Sequence, residues 1–408
     1  MNDKARDRVR RRRVFYVPGY DPFPPRRYRE LYRKEGAEQA AILGYTFDMR
    51  AEAPGSSGYG WVAETEIAGQ RTEARLKVLV WSDLVQASMQ RGVASTYLLM
   101  LRTLWIFFST GALWAMIRLR PGPMLAGLWL VAILTGQLLL ALGLGALVWA
   151  GLAALLPGGI GHLAGAVAAA ALAAALLSLF RRFDARLKAY YLLYDFAQVA
   201  AHRGAYAPDL AARMEGFVDE VAEALTDGAA DEVLIVGHSS GAALAVSLAA
   251  AVERRGLPEG GARLALLTLG QAIPMQGFLP DATRLRTDLR QMAGSKTTTW
   301  VDVSARGDGV CFWLCDPAAV CGVAPKGHRW PLVISAAFSQ SLKPETWRKI
   351  RWRFFRLHIQ YLAAFDRPRD YDYFQITAGP MTLAARYRGR APSPSLETRV
   401  FSPHRGVE

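Results

Sequence analysis

The stretch "DEVLIVGHSSGAALAVSLAAAV", residues 231–252, decides the reading of the chain. "EVLIVG" is a short, continuous apolar run of the kind that forms a strand buried on both faces. "SGAALAVSLAAAVERRG" then reads as a helix that Gly256 stops. The junction holds Gly237, Ser239 and Gly241 in the pattern G-x-S-x-G. Alone that pattern is weak, because a serine in a tight turn satisfies it equally well. It gains meaning when the serine lies where a strand turns sharply into a helix.

The surroundings alternate in the same way. "RVFYVPGY" (13–20) reads as a buried strand that ends in Pro-Gly, and 28–41 as a helix. "GWVAETEI" and "TEARLKVLVW" read as strands, and 207–227 as a helix. "ARLALLTLG" and "TTTWVDVSA" are further strands, with a helix near 281–293 between them. Strands alternating with helices imply an α/β fold with a mainly parallel sheet covered on both faces.

A long insert interrupts this pattern. From Pro121 to Phe180 there is no Asp, Glu, Lys or Arg, and His162 is the sole ionisable side chain. A span needs about 20 apolar residues, so the segment holds two transmembrane helices, near 124–151 and 160–180. The breakers Leu156-Pro157-Gly158-Gly159 make the turn. Gly136, Gly143 and Gly145 are expected to let the helices pack closely. Arg118, Arg120, Arg181, Arg182, Arg186 and Lys188 flank the pair, and the turn carries no cation. The positive-inside rule puts both ends in the cytoplasm, and the expected location is the inner (cytoplasmic) membrane. Residues 97–117 are apolar but interrupted by Arg102, and read as an interfacial helix, with a buried helix of the soluble part as the alternative. The expected organisation is thus 1–95 and 189–365 as two parts of one domain, 96–188 as the membrane insert, and 366–408 as a basic extension.

Composition narrows the classes. The chain has 408 residues, 52% of them hydrophobic, and a net charge of +14. That charge favours anionic partners, and with the apolar insert it points to anionic lipid. No zinc finger, basic zipper or stacking-aromatic RNA motif is present, so nucleic acid is not an expected partner. Cys311, Cys315 and Cys321 lack the spacing of a zinc site and read as reduced, buried thiols. The Arg-rich N-terminus is not a secretory signal. No P-loop, dinucleotide glycine motif or H-E-x-x-H occurs, so no cofactor or metal is expected.

With Gly237-His238-Ser239-Ser240-Gly241 on such a junction, the chain resembles the α/β-hydrolase superfamily, and within it the lipase-like members that carry G-H-S-x-G. The resemblance covers 13–85 and roughly 205–365. It implies a serine nucleophile, Ser239, followed in chain order by an acid and then a histidine. The superfamily's acid sits on the loop after a late strand, often as D-x-V. Asp308-Gly309-Val310 fits best, with Asp302 and Asp316 as alternatives. For the base, His162 lies in the hairpin, His202 precedes the serine, His238 adjoins it, and His404 is in a polar tail. His358, in "HIQYL", matches the resemblance best, and His328 is the alternative. The oxyanion donors implied are the backbone N–H groups of Ser240 and Tyr20. Here Pro18-Gly19-Tyr20 stands where the superfamily often has His-Gly, and Asp21 is a possible but electrostatically awkward neighbour. The expected function is a membrane-anchored serine esterase or lipase acting on a lipid-derived acyl ester. The alternatives are an acyltransferase with the same triad and a non-catalytic membrane protein on the same fold.

Overall fold

The computed structural model describes residues 7–52 and 59–408. Eight strands form one sheet in the order β2-β3-β4-β1-β5-β6-β7-β8. The strands are β1 Arg11–Val17, β2 Thr46–Ala51, β3 Tyr59–Ile67, β4 Gln70–Val78, β5 Glu232–His238, β6 Arg263–Leu269, β7 Thr299–Ser304 and β8 Leu332–Ser335. β2, β3 and β4 form an antiparallel meander, and every pairing from β4 across to β8 is parallel. The order reverses at β1, which pairs with β4 on one side and β5 on the other. In an open parallel sheet the crevice beyond such a reversal is where ligands bind. The loops leaving β1 and β5 both open there.

Two apolar cores cover the two faces. Val233, Ile235, Leu264 and Leu266 pack under the helices Pro208–Thr226, Gly241–Arg255 and Thr283–Ala293. Val14, Tyr16, Val236, Leu267 and Val301 pack under helix Arg26–Leu43 and the C-terminal region. β2 was not legible in the sequence. Its "TFDMRA" lies at the sheet edge, largely exposed, and carries no apolar run. β8 has only four residues.

Residues 366–408 complete the fold rather than trailing from it. The Arg12 guanidinium, fully buried, pairs with Glu232 at 2.7 Å and donates to Gly379 O at 2.7 Å. The amide of Ser393 donates to Val333 O at 3.0 Å, so the tail also covers edge strand β8. Unpaired edges invite aggregation, which explains the cover.

The two hairpin helices run Pro121–Leu155 and Gly158–Arg182, longer than the expected 124–151 and 160–180. Both are long and apolar enough to cross a membrane. Large apolar side chains such as Leu139, Leu147, Leu155 and Leu163 stand exposed along them. The packing glycines differ from expectation. A Cβ at Gly136 or Gly143 would meet nothing, whereas Gly145 approaches Ala169. The closest approaches are at Gly161 and Gly165, where a Cβ would come within 2.7 Å of Leu156 O and 2.8 Å of Trp149 O.

The stretch expected as one helix over 97–117 is two helices, Val93–Ser109 and Ala112–Leu119, broken at Gly111 with φ +75°. They are two-faced. Met100, Phe107, Ala112 and Met116 belong to the soluble core, while Leu98, Leu101, Trp105, Phe108 and Trp114 are exposed. One face of each helix is buried and the other carries exposed apolar side chains, which explains why the sequence supported both readings.

Because β4, β1 and β5 are neighbours in one sheet, the chain before and after the hairpin lies on one side of any bilayer the hairpin crosses. The number of crossings is then even. The native thiols are buried and free, so an introduced cysteine is the one an external reagent meets first. We predict that Gly159→Cys and a C-terminal tag lie on opposite sides of the membrane. Labelling with an impermeant maleimide in intact cells and after permeabilisation measures this, and equal access from one side would contradict the hairpin.

Candidate active site

β5 ends at His238 and the next helix begins at Gly241, which leaves Ser239 and Ser240 to make the turn. Ser239 has φ +60°. Such a conformation costs a non-glycine residue about 1–3 kcal/mol and needs support from its surroundings. Its N–H donates to Leu269 O at 3.0 Å, and its carbonyl accepts from Ala242 N and Ala272 N at 3.1 and 3.2 Å. The flanking glycines are sterically required. A Cβ at Gly237 would stand 2.5 Å from Ala245 Cβ, and one at Gly241 would stand 2.3 Å from Pro18 O. Ser239 is thus lifted above the carboxyl ends of the strands, at the reversal between β1 and β5.

Asp308 follows β7 and is fully buried. His358 Nδ1 donates to its Oδ2 at 2.7 Å, Tyr361 Oη donates to the same oxygen at 3.1 Å, and Val310 N donates to Oδ1 at 3.0 Å. Burial raises the pKa of this carboxyl, but the charge and hydrogen bond of His358, with the Val310 amide, prevail and hold it below the usual value. With Nδ1 engaged, His358 presents Nε2 elsewhere. Nε2 is buried and has no hydrogen-bond partner among the described residues. The sequence-predicted acid and base are therefore together, while the expected hydrogen bond from Ser239 to His358 is not made. Bonds of this kind are often long in empty sites and tighten with substrate.

The alternative residues are brought together elsewhere. His328 Nε2 pairs with Asp316 Oδ2 at 2.7 Å, and Asp316 Oδ1 caps a short helix through Ala318 N and Ala319 N. Asp302 is buried in β7, accepts from Thr268 Oγ1 at 2.6 Å, and is pushed up to about 7 by burial. Neither pairs with His358.

Of the expected oxyanion donors, Ser240 precedes the helix's first residue, where N–H groups have no intrahelical acceptor. Tyr20 N is occupied: it donates to Ser240 Oγ at 2.8 Å. An oxyanion at that spot must displace the Ser240 hydroxyl. The Asp21 carboxylate is turned aside, accepting from Tyr28 Oη at 2.5 Å and Phe23 N at 3.0 Å. Its charge is thereby satisfied away from the serine.

Three residues near the centre were not read from the sequence. Tyr361 holds Asp308, as above, and its signal was its place three residues after His358. His238 packs on His358 with ring centroids 4.7 Å apart, and its Nε2 lies 3.0 Å from His358 O. Burial pushes His238 down to about 3, so it is neutral and donates that proton. Asp195, on helix Ala189–Ala201, is the third. It lies beside the Ser240 hydroxyl and His358, and burial pushes it up to about 7 against the influence of both. Its Oδ1 has no hydrogen-bond partner. A lone acid inside "AYYLLYDFAQVAA" was the available signal.

No group of His, Cys, Asp and Glu suited to a metal ion occurs among the described residues. The family model described as Lipase (class 3) matches residues 161–287, a stretch that contains the elbow but neither Asp308 nor His358. No curated protein and no solved structure matches the chain. The family match, with the sheet and the elbow, places the chain in the lipase/α/β-hydrolase superfamily.

Asp195 generates a pH prediction. Burial holds its folded-state pKa at about 7, above that of the unfolded chain, so its contribution to stability falls as pH rises from about 4 to about 7. Asp195→Asn, which keeps the shape without the charge, is therefore expected to lessen the loss of thermal stability across that window. An unchanged stability profile would show that Asp195 does not titrate there.

Proposed function

We propose that this lipase-like α/β hydrolase is a membrane-anchored serine hydrolase that cleaves an acyl ester drawn from lipid. The single observation that carries the reading is the Asp308–His358 pair, 2.7 Å apart, assembled beyond the strand ends where the strained Ser239 is also presented. Ser239 Oγ attacks the ester carbonyl carbon, and its proton passes to His358 Nε2. The carbonyl oxygen becomes an oxyanion between the N–H groups of Tyr20 and Ser240, and the Ser240 hydroxyl gives way. The ester C–O bond then breaks, and the imidazolium returns the proton to the leaving alkoxide. Water attacks the acyl-enzyme with His358 again taking the proton, and the acid is released. Asp308 fixes the tautomer and orientation of His358, and Tyr361 and Val310 hold Asp308.

The anchor supports a substrate in the bilayer, because tethering raises the local concentration of a lipid ester. The flanking cations support a cytoplasmic hydrolase domain in the inner membrane. Two of them also hold the hairpin base to the soluble part. Arg120 donates to Trp313 O at 2.8 Å and Leu314 O at 3.1 Å, and Arg181 to Met89 O at 3.2 Å.

A fluorophosphonate probe tests the reaction class. The wild type is expected to be labelled and Ser239→Ala not. Ester hydrolysis is expected to fall at least roughly a thousandfold in Ser239→Ala, about as far as in the triple variant with Asp308→Ala and His358→Ala, because the three act as one unit. His328→Ala, in the separate pair with Asp316, is expected to retain activity. Unlabelled but folded wild type would favour the non-catalytic alternative.

A further inference from the structure

We infer that the substrate is an acyl lipid with a net-negative head group, which reaches Ser239 sideways from the bilayer through a cleft between the first hairpin helix and the catalytic loops. The inference rests on the serine-hydrolase reading and adds to it the route and the substrate class.

The cleft has a volume of about 510 Å³, within the range of ligand pockets. One wall is the base of the membrane helix, with Gly122, Leu125, Ala126 and Trp129. The second is Gly309 and Val310, the residues that follow the acid. The third is Trp352 to Arg356, which leads into His358. The membrane helix and the acid loop touch directly: a Cβ on Gly122 would lie 2.8 Å from Gly309 O. A chain of rings continues inward. Phe355 packs on Tyr191 with centroids 6.1 Å apart, and Tyr191 packs on Tyr20, whose amide is the proposed oxyanion donor, at 6.3 Å. These packed rings tie the inner wall of the cleft to the Tyr20 loop, and the lining residues Val310 and Arg356 stand two positions from Asp308 and His358.

The outer rim says what occupies it. Leu125, Trp129, Trp352 and Phe354 are exposed at its mouth, at 63%, 48%, 72% and 51%. Aromatic side chains on the flank of a membrane helix mark the head-group level, so the mouth opens beside acyl chains. The polar lining is cationic. Arg353 and Arg356 line the cleft, no acidic residue does, and neither arginine forms an ion pair among the described residues. Lys188 Nζ stands over the Phe355 and Tyr191 rings at 4.6 and 5.6 Å, adding a third cation beside the inward path. Two guanidiniums at the mouth of an apolar slot match a phosphate-bearing head group above a chain, since guanidinium binds phosphate through paired hydrogen bonds.

The test uses the full chain reconstituted in vesicles, so that recruitment to the surface is the same for all variants. Fatty-acid release from phosphatidylglycerol and from phosphatidylcholine of identical chains is measured beside hydrolysis of soluble p-nitrophenyl acetate. The wild type is expected to prefer phosphatidylglycerol at least tenfold. Arg353→Gln with Arg356→Gln, both at exposed positions, is expected to bring that preference close to one. Ala126→Trp, which fills the cleft, is expected to lower the ratio of phospholipid to acetate hydrolysis at least tenfold. Leu147→Trp, on the exposed flank far along the hairpin, is the unchanged control. If the wild type cleaves the acetate ester but neither phospholipid, or if all variants keep its ratios, the cleft and head-group inference is overturned while the hydrolase reading stands. If the wild type cleaves nothing and takes no fluorophosphonate, the hydrolase reading itself falls, and the inference with it.

Discussion

The backbone at Ser239 is held in a left-handed conformation by the end of β6 and by two contacts too close for any side chain. Leu269 O takes its N–H, and Gly237 and Gly241 let Ala245 and Pro18 press against the turn. This constraint orders the rest of the site. Pro18 can reach Gly241 because β1 lies beside β5, and that contact brings Tyr20 N to the Ser240 hydroxyl. Gly19 is equally confined, since a Cβ there would stand 3.0 Å from Ser239 Cβ. The Ser239 turn and the Pro18–Tyr20 loop are therefore one packed unit. The strain at Ser239, about 1–3 kcal/mol, is small beside the burial on both faces of β5, all seven residues of which are buried.

The same sheet governs where the apolar hairpin leaves and rejoins the fold. β1 and β5 are neighbours, yet the whole hairpin lies between them in sequence. The insert must leave the soluble domain and return to it, and its base has become part of the core. Arg120 stacks on Trp313 at 3.8 Å and ties the hairpin to the loop beyond the acid. Helix Ala189–Ala201, which follows the insert's exit, carries Tyr191 to the Tyr20 ring and Asp195 to the Ser240 hydroxyl and His358. The hairpin is thus packed against the elements that build the candidate site.

What was legible in the sequence follows from where the signal resides. The elbow, the buried strands and the uncharged hairpin are local patterns, and a single stretch displays each. The pairing of Asp308 with His358 could be expected because the chain order of the resemblance limits the candidates, whereas His328 pairs with Asp316. The edge strand β2 was not legible because it is largely exposed, and β8, although mostly buried, was not because four residues are too short a run to mark a strand. Asp195 was not read, and His238 was given no role, for another reason. Their surroundings come from elements distant in sequence, and burial, which moves both, is a property of the fold. The occupied Tyr20 amide is likewise a long-range contact, across 220 residues to Ser240.

The central claim is that Ser239, His358 and the amides of Tyr20 and Ser240 form one reactive centre. The most direct measurement is an experimental structure of the full chain after reaction with a phosphonate ester. The account predicts phosphorus bonded to Ser239 Oγ and the phosphoryl oxygen accepting from both amides. It further predicts the Ser240 hydroxyl displaced from Tyr20 N, and His358 Nε2 within roughly 2.6–3.2 Å of an oxygen on phosphorus. An adduct on another residue, or one on Ser239 with the phosphoryl oxygen turned away from both amides, would contradict it.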